Sequence, residues 1–433
     1  MKTEERRGGI STAALCTLAG AAIVAAAAAA AACTSTSDRT GTSSSSGGAS
    51  SSSGGSSSSS GGIDAEAPAG PIECGPAPGA AAPFTKQALL EAASDCAAWH
   101  ACTFLNAATA LRSTVQDHAA DPSEEKLGAV RDAWKTAMNE WSKMELFQFG
   151  PLASTVLDKY HGRGLRSFVH PWPLTSRCEV EKQVATKEWQ AGLDKVLPSA
   201  RGLYALEYLF FYPDTDTACL PASPAGQAWS ALSPADLAKA KSDYAIAVAD
   251  NLVAVALEIR NVWLPEGENF KAKLLAFDGY GSEQETLNVV AWALFYVEKE
   301  IKDLKLASRA GVQATPPNPE TPFADVEIEN IRTNLRAFRS LFQGCSEDGT
   351  GVGFDDWLVA AGHEQLSTDI LTALGNVEAA ADAFPAFSAA SEEQFKGFYD
   401  TLKSLTDLLK TQLFGSGSPL NLKLPASAAS DTD

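Results

Sequence analysis

The sequence predicts an all-α fold built from antiparallel helical bundles. Long windows repeat apolar residues by threes and fours, the spacing of one helix face. Tyr244, Val248, Leu252, Val255, Ile259 and Val262 form one such stripe, Leu287, Val290, Leu294, Val297, Ile301 and Leu304 a second, and Ile328, Ile331, Leu335, Phe338 and Phe342 a third. Helix-start chemistry stands ahead of them: Ser233-Pro234-Ala235-Asp236 offers an N-cap, a first-turn proline and a first-turn acid, and Ser282-x-x-Glu285 and Ser391-x-x-Gln394 have the form of capping boxes. No segment alternates as a convincing strand would.

In chain order, residues 1–33 read as an export signal. Lys2, Arg6 and Arg7 are followed by the small apolar run Ser11 to Ala32. The run is long enough to span a bilayer, but its alanine content makes it weakly hydrophobic and favours cleavage. Ala30-Ala31-Ala32-Cys33 resembles a bacterial lipobox, which makes Cys33 the expected lipidation site and a lipid anchor the expected link to a membrane. Residues 34–82, rich in Ser, Gly, Ala and Pro, read as a disordered tether. Helices are then predicted over Thr85 to Asp95, Cys102 to His118, Pro122 to Met144 and Val180 to Val196, with an irregular stretch at 152–177. A last helix runs from Ser391 to about Leu413, and 416–433 reads as a disordered tail.

The net charge of −19 argues against nucleic acid as a partner. Beyond the leader there are six cysteines: Cys74, Cys96, Cys102, Cys178, Cys219 and Cys345. An even set in an exported chain predicts disulfides. Cys178–Cys219 is the preferred pair, because the two flank the most apolar stretch of the mature chain, and Cα atoms about 5–6 Å apart are expected for it. Cys96 and Cys102 are not expected to pair if one continuous helix carries both.

That apolar stretch, Arg201 to Pro213, holds one carboxylate, Glu207, on the same helix face as Tyr204. A carboxylate there is costly to bury unless it is paired, hydrogen-bonded or bound to something. Two readings stand: an ion pair with Arg163, Arg166 or Arg201, or a place in a ligand cleft.

Gly202-Leu203-Tyr204-Ala205-Leu206-Glu207 resembles the G-x-H-x-x-E signature of the imelysin family of bacterial envelope proteins, with Tyr204 in place of its histidine. Three further segments are similar to that family: Trp134-x-x-Ala137-x-x-x-Trp141-x-x-x-Glu145-x-Phe147-x-Phe149-Gly150-Pro151, Phe168-x-x-Pro171-Trp172-Pro173-Leu174, and Gly351 to Leu358. The resemblance spans roughly residues 83–415. It implies two bundle-like halves, 83–225 and 226–415, related by approximate internal duplication. It also implies an envelope location, an outer-membrane lipoprotein here, and a link to iron uptake. Gly202, Tyr204, Glu207, Glu145, Trp141 and Trp172 become the candidate ligand-binding residues, for a small ligand or a partner envelope protein.

The family is classed among metallopeptidases through its His and Glu. A hydrolytic zinc site needs three protein ligands and an open position. Here Tyr replaces the histidine, Met138 stands where the family usually has an Arg, and His363-Glu364 fails as H-E-x-x-H because Ser367 is the fifth residue. A neutral phenol is a poor zinc ligand, although phenolate suits ferric iron. No metal ligand is therefore assigned, iron is the only cofactor the resemblance brings forward, and no zinc-dependent peptidase activity is expected. A metallopeptidase with altered ligands and a structural envelope protein are the alternatives.

Overall fold

The computed structural model describes residues 68, 70–346 and 349–425. The export signal, Cys33 and most of the tether lie outside the described residues. All regular structure among the described residues is helical.

The main helices are α1 (Lys86–Ala120), α2 (Glu124–Met144), α3 (Arg166–Val169), α4 (Arg177–Thr186), α5 (Gly202–Phe211), α6 (Pro224–Ser230), α7 (Pro234–Trp263), α8 (Phe270–Leu275), α9 (Glu283–Trp292), α10 (Glu327–Gln343), α11 (Phe354–Ala360), α12 (Glu364–Ala383) and α13 (Glu392–Leu408). The chain continues from α9 through a 3₁₀ turn into a wide π-helical stretch, Val297–Leu306. The side chains of Thr85, Ser123, Ser233, Ser282 and Ser391 each accept a hydrogen bond from a first-turn N–H. Only Ser391 closes a reciprocal box, with Gln394.

Two predicted boundaries move. Thr85 to Asp95 and Cys102 to His118 are parts of one helix, α1, because nothing between them (Cys-Ala-Ala-Trp-His-Ala) breaks a helix. The helix expected over Val180 to Val196 stops at Thr186. Lys187 turns left-handed (φ 57°), and short 3₁₀ turns with Gly192 at φ 121° follow.

In one group of helices, α1 packs along α7 and α2, and α5 lies against α7 and α2. In another, α12 pairs with α13 and α10, and α13 covers the π-helical stretch. Helix α10 packs on α2 and joins the two groups. Buried apolar residues run continuously through both as one core.

Three disulfides are present: Cys74–Cys102, Cys96–Cys345 and Cys178–Cys219, the last with Cα atoms 4.7 Å apart. The first ties down a stretch that the sequence places in the tether. Residue Ile72 donates its N–H to Asn106 Oδ1 at 2.8 Å, and Arg112 donates to the Pro68 carbonyl at 2.6 Å. At the other end, Leu420 and Leu422 are buried and Trp292 Nε1 donates to the Lys423 carbonyl at 2.7 Å, so this part of the expected tail is packed. Among the described residues, no helix is long and apolar enough to cross a membrane.

Candidate functional site: a buried carboxylate–imidazole cluster

Glu145 caps the C-terminus of α2, its N–H donating to the Trp141 carbonyl at 2.8 Å. Its carboxylate points into the protein and is fully buried. Tyr296 Oη donates to Glu145 Oε1 at 2.6 Å, and Asn334 Nδ2 of α10 donates to the same oxygen at 3.2 Å. Oε2 has no hydrogen-bond partner; its nearest cation is Arg166, at 3.7 Å.

Arg166 opens α3 and His170 follows its end. The chain can turn there because Gly202 carries no side chain: a Cβ on it would lie 2.2 Å from the Val169 carbonyl oxygen, and its φ of +71° is the left-handed region. His170 is buried, and neither ring nitrogen has a hydrogen-bond partner. The third member, Glu320, comes from the proline-rich loop before α10. Asn330 Nδ2 donates to its Oε2 at 3.0 Å, and Lys305 Nζ forms an ion pair with its Oε1 at 2.9 Å while donating to Asn334 Oδ1 at 3.0 Å. The loop is pinned because Trp172 Nε1 donates to the Asn318 carbonyl at 3.0 Å and Asn318 Nδ2 donates to the Pro173 carbonyl at 2.8 Å. As a result, Glu145, His170 and Glu320 each bring a ligand atom within 4.8 Å of the others.

Electrostatics separates the two carboxylates. Burial raises both, but at Glu145 the charges of Lys305 and Arg166 and the Tyr296 hydrogen bond outweigh it and hold the group below the usual carboxylate range. At Glu320 burial wins, with the Glu145 charge adding to it, and the group sits above that range. Burial lowers His170 to about 3, so its imidazole is neutral.

The predicted site residues divide. Glu145 belongs to this cluster, and Trp172 and Gly202 shape it. Trp141 is a core residue, tilted against Phe104 with centroids 5.2 Å apart. Glu207 makes none of the three arginine pairs considered: its Oε1 accepts from the Phe323 and Ala324 N–H groups at 2.8 and 2.9 Å. Arg163 pairs with Glu268, Arg166 with Glu300 and Glu145, and Arg201 donates to the Leu193 carbonyl. Tyr204 packs on Phe323, and burial pushes its phenol up to about 12.

Sequence reasoning left His170, Glu320, Lys305 and Tyr296 outside its candidate set. The only signal for His170 was its place beside Pro171-Trp172-Pro173, and Glu320 lies in a loop without periodicity.

The structure thus defines an all-helical protein with a closed carboxylate–imidazole cluster where its helix groups meet. The Imelysin family profile matches residues 100–412, and the chain belongs to that family. An imelysin-like protein from Psychrobacter arcticum 273-4 shares the fold with a TM-score of 0.58 at 17% identity, over 79% of this chain and 99% of the other. A protein assigned as an iron-regulated protein A precursor from Parabacteroides distasonis ATCC 8503 gives 0.54 at 17% identity, over 77% and 97%. No curated protein sequence matches the chain.

Proposed function

We propose that this chain is an imelysin-type envelope protein that captures a metal ion, iron first, through Glu145, His170 and Glu320, and that it does not hydrolyse peptides. One observation carries the reading. Three buried side chains from separate parts of the sequence converge, and Glu145 Oε2 and both His170 nitrogens lack hydrogen-bond partners, while Glu320 Oε1 is held by Lys305 alone. Buried polar atoms are ordinarily satisfied, so such a cluster calls for an occupant.

The donor set is two carboxylates and one neutral imidazole, which suits iron, manganese or zinc rather than a thiolate-seeking ion. Lys305 is the resident counter-ion of Glu320, and an entering cation takes its place at Oε1. The ion is cargo here, not a catalyst. Glu145, His170 and Glu320 are 0%, 1% and 2% exposed, which leaves no surface for a peptide bond. Iron is placed first because of the family and the iron-regulated relative. The leader and Cys33 support the envelope location, with a lipid anchor as the membrane link.

The test is equilibrium binding of Fe(II), Mn(II) and Zn(II) to the purified chain, with metal content measured after dialysis. The parent should bind one ion, and Glu145→Gln and His170→Gln should each weaken binding by about 100-fold or more. Parent-like binding in both variants overturns the site. Peptide cleavage that chelator abolishes and zinc restores overturns the non-catalytic reading.

A further inference from the structure

An ion bound at Glu145 must cross a wall of side chains. On the outer side of that wall lies a cavity of about 340 Å³ lined by Val156, Leu157, Trp292, Phe295, Tyr296 and Glu300, among others. Two of these residues face both ways. Tyr296 lines the cavity, and its hydroxyl donates to Glu145 at 2.6 Å. Glu300 lines it too, and its carboxylate accepts from Arg166 at 3.3 and 3.4 Å, while Arg166 stands 3.7 Å from Glu145. The cavity and the cluster are therefore one side chain apart.

We propose that this cavity is the entry vestibule for the metal ion, with Tyr296 and the Glu300–Arg166 pair as the gate between it and Glu145. The proposal rests on the metal-binding reading above. Its size fits: six waters at about 30 Å³ each make a hydrated ion of roughly 200 Å³, within the cavity's 340 Å³. Its charge bears on entry through one group: Glu300 is the single acidic residue of an otherwise mostly apolar lining that also holds Lys299, and its carboxylate is neutralised by Arg166 until an arriving cation competes for it. The neighbouring Lys299 donates to Asp303 at 3.1 Å. The gate is loosely shut. Arg166 spans two carboxylates at 3.3–3.7 Å, longer than a well-formed guanidinium–carboxylate fork, and its Nε has no hydrogen-bond partner. A cation arriving at Glu300 competes with Arg166 for that carboxylate, and release of Arg166 opens the way to Glu145.

Stopped-flow loading of the mature protein with Co(II), followed by the absorbance of the bound ion, tests this. Val156 is 72% exposed at the rim, so Val156→Trp can narrow the mouth without disturbing the core. It should slow loading and release together by about tenfold, with the equilibrium constant held within about threefold. Glu300→Gln should flatten the dependence of the loading rate on ionic strength. Parent-like loading in Val156→Trp, or parent-like salt dependence in Glu300→Gln, overturns the vestibule while the site stands. Unchanged Co(II) binding in Glu145→Gln overturns the site itself.

Discussion

Glu207 engages one carboxylate oxygen with two backbone N–H groups and leaves Oε2, also buried, without a hydrogen-bond partner. Burial raises this group well above its ordinary 4.5, more than the two amide hydrogen bonds lower it. Because the folded pKa is the higher one, the linked stability is complete below about pH 4.5 and is lost as pH rises through the folded value. Glu207→Gln keeps an acceptor for Phe323 and Ala324 and removes the titration. Its melting temperature should match the parent at pH 4 and exceed it at pH 8. Glu207→Ala should be lower at both, since each orphaned N–H costs about 1–3 kcal/mol. A lower melting temperature for the Gln variant at pH 8 would show that the negative charge is needed. The cost of burying Glu207 was legible in its apolar surroundings. Its partners were not, because a backbone amide more than a hundred residues away leaves no mark in side-chain sequence. The arginines considered as partners found other acceptors for the same reason: charge says that a group needs a partner, not which one the fold supplies.

At the scale of elements, periodicity located most helices and failed where winding changed. The stripe through Leu294, Val297 and Ile301 predicts Leu304 on the buried face, yet Leu304 is 41% exposed and Lys305 is 4% exposed. The chain widens to π-helical winding at Val297–Leu306, with bonds such as Ala307 N–H to the Lys302 carbonyl, and the wider winding carries Leu304 outward and Lys302 inward, while Lys305, four residues after Ile301, stays on the buried face. The start of α5 is the converse case, where a motif residue was legible and its reason was not. Gly202 is needed because α5 begins against the Val169 carbonyl, one residue before His170. Gly202→Ala should destabilise the protein by about 1–3 kcal/mol through its positive φ alone, with the 2.2 Å clash adding to this. It should also weaken metal binding by displacing His170, whereas Gly164→Ala, at φ +68° with open space around it, should leave metal binding unchanged. Equal effects of the two on metal affinity would remove the link between Gly202 and the cluster.

Across the whole molecule, the all-α architecture followed from the stripes and caps, and the family from several spaced motifs together. Long-range closure did not. Cys96 sits on α1 and Cys345 just beyond α10, joined across 249 positions, and no local pattern near either names the other. Cys178–Cys219 spans 41 and was suggested by its flanking of one apolar helix. The two bonds constrain the unfolded chain differently. Loop-closure entropy assigns about 5.5 kcal/mol to the long loop and about 4 kcal/mol to the short one, a difference of roughly 1.5 kcal/mol. The short loop has local support that persists without its bond: Glu181 accepts from Tyr208 Oη at 2.9 Å, Thr217 Oγ1 at 2.7 Å and the Ala218 N–H at 2.8 Å, which holds α4 to the 217–219 segment. Both terms point the same way. The double variant Cys96→Ala/Cys345→Ala should therefore lose more unfolding free energy in urea than Cys178→Ala/Cys219→Ala, with a lower midpoint. The reverse order would mean that native packing around Cys178, rather than restriction of the unfolded chain, sets the worth of these bonds.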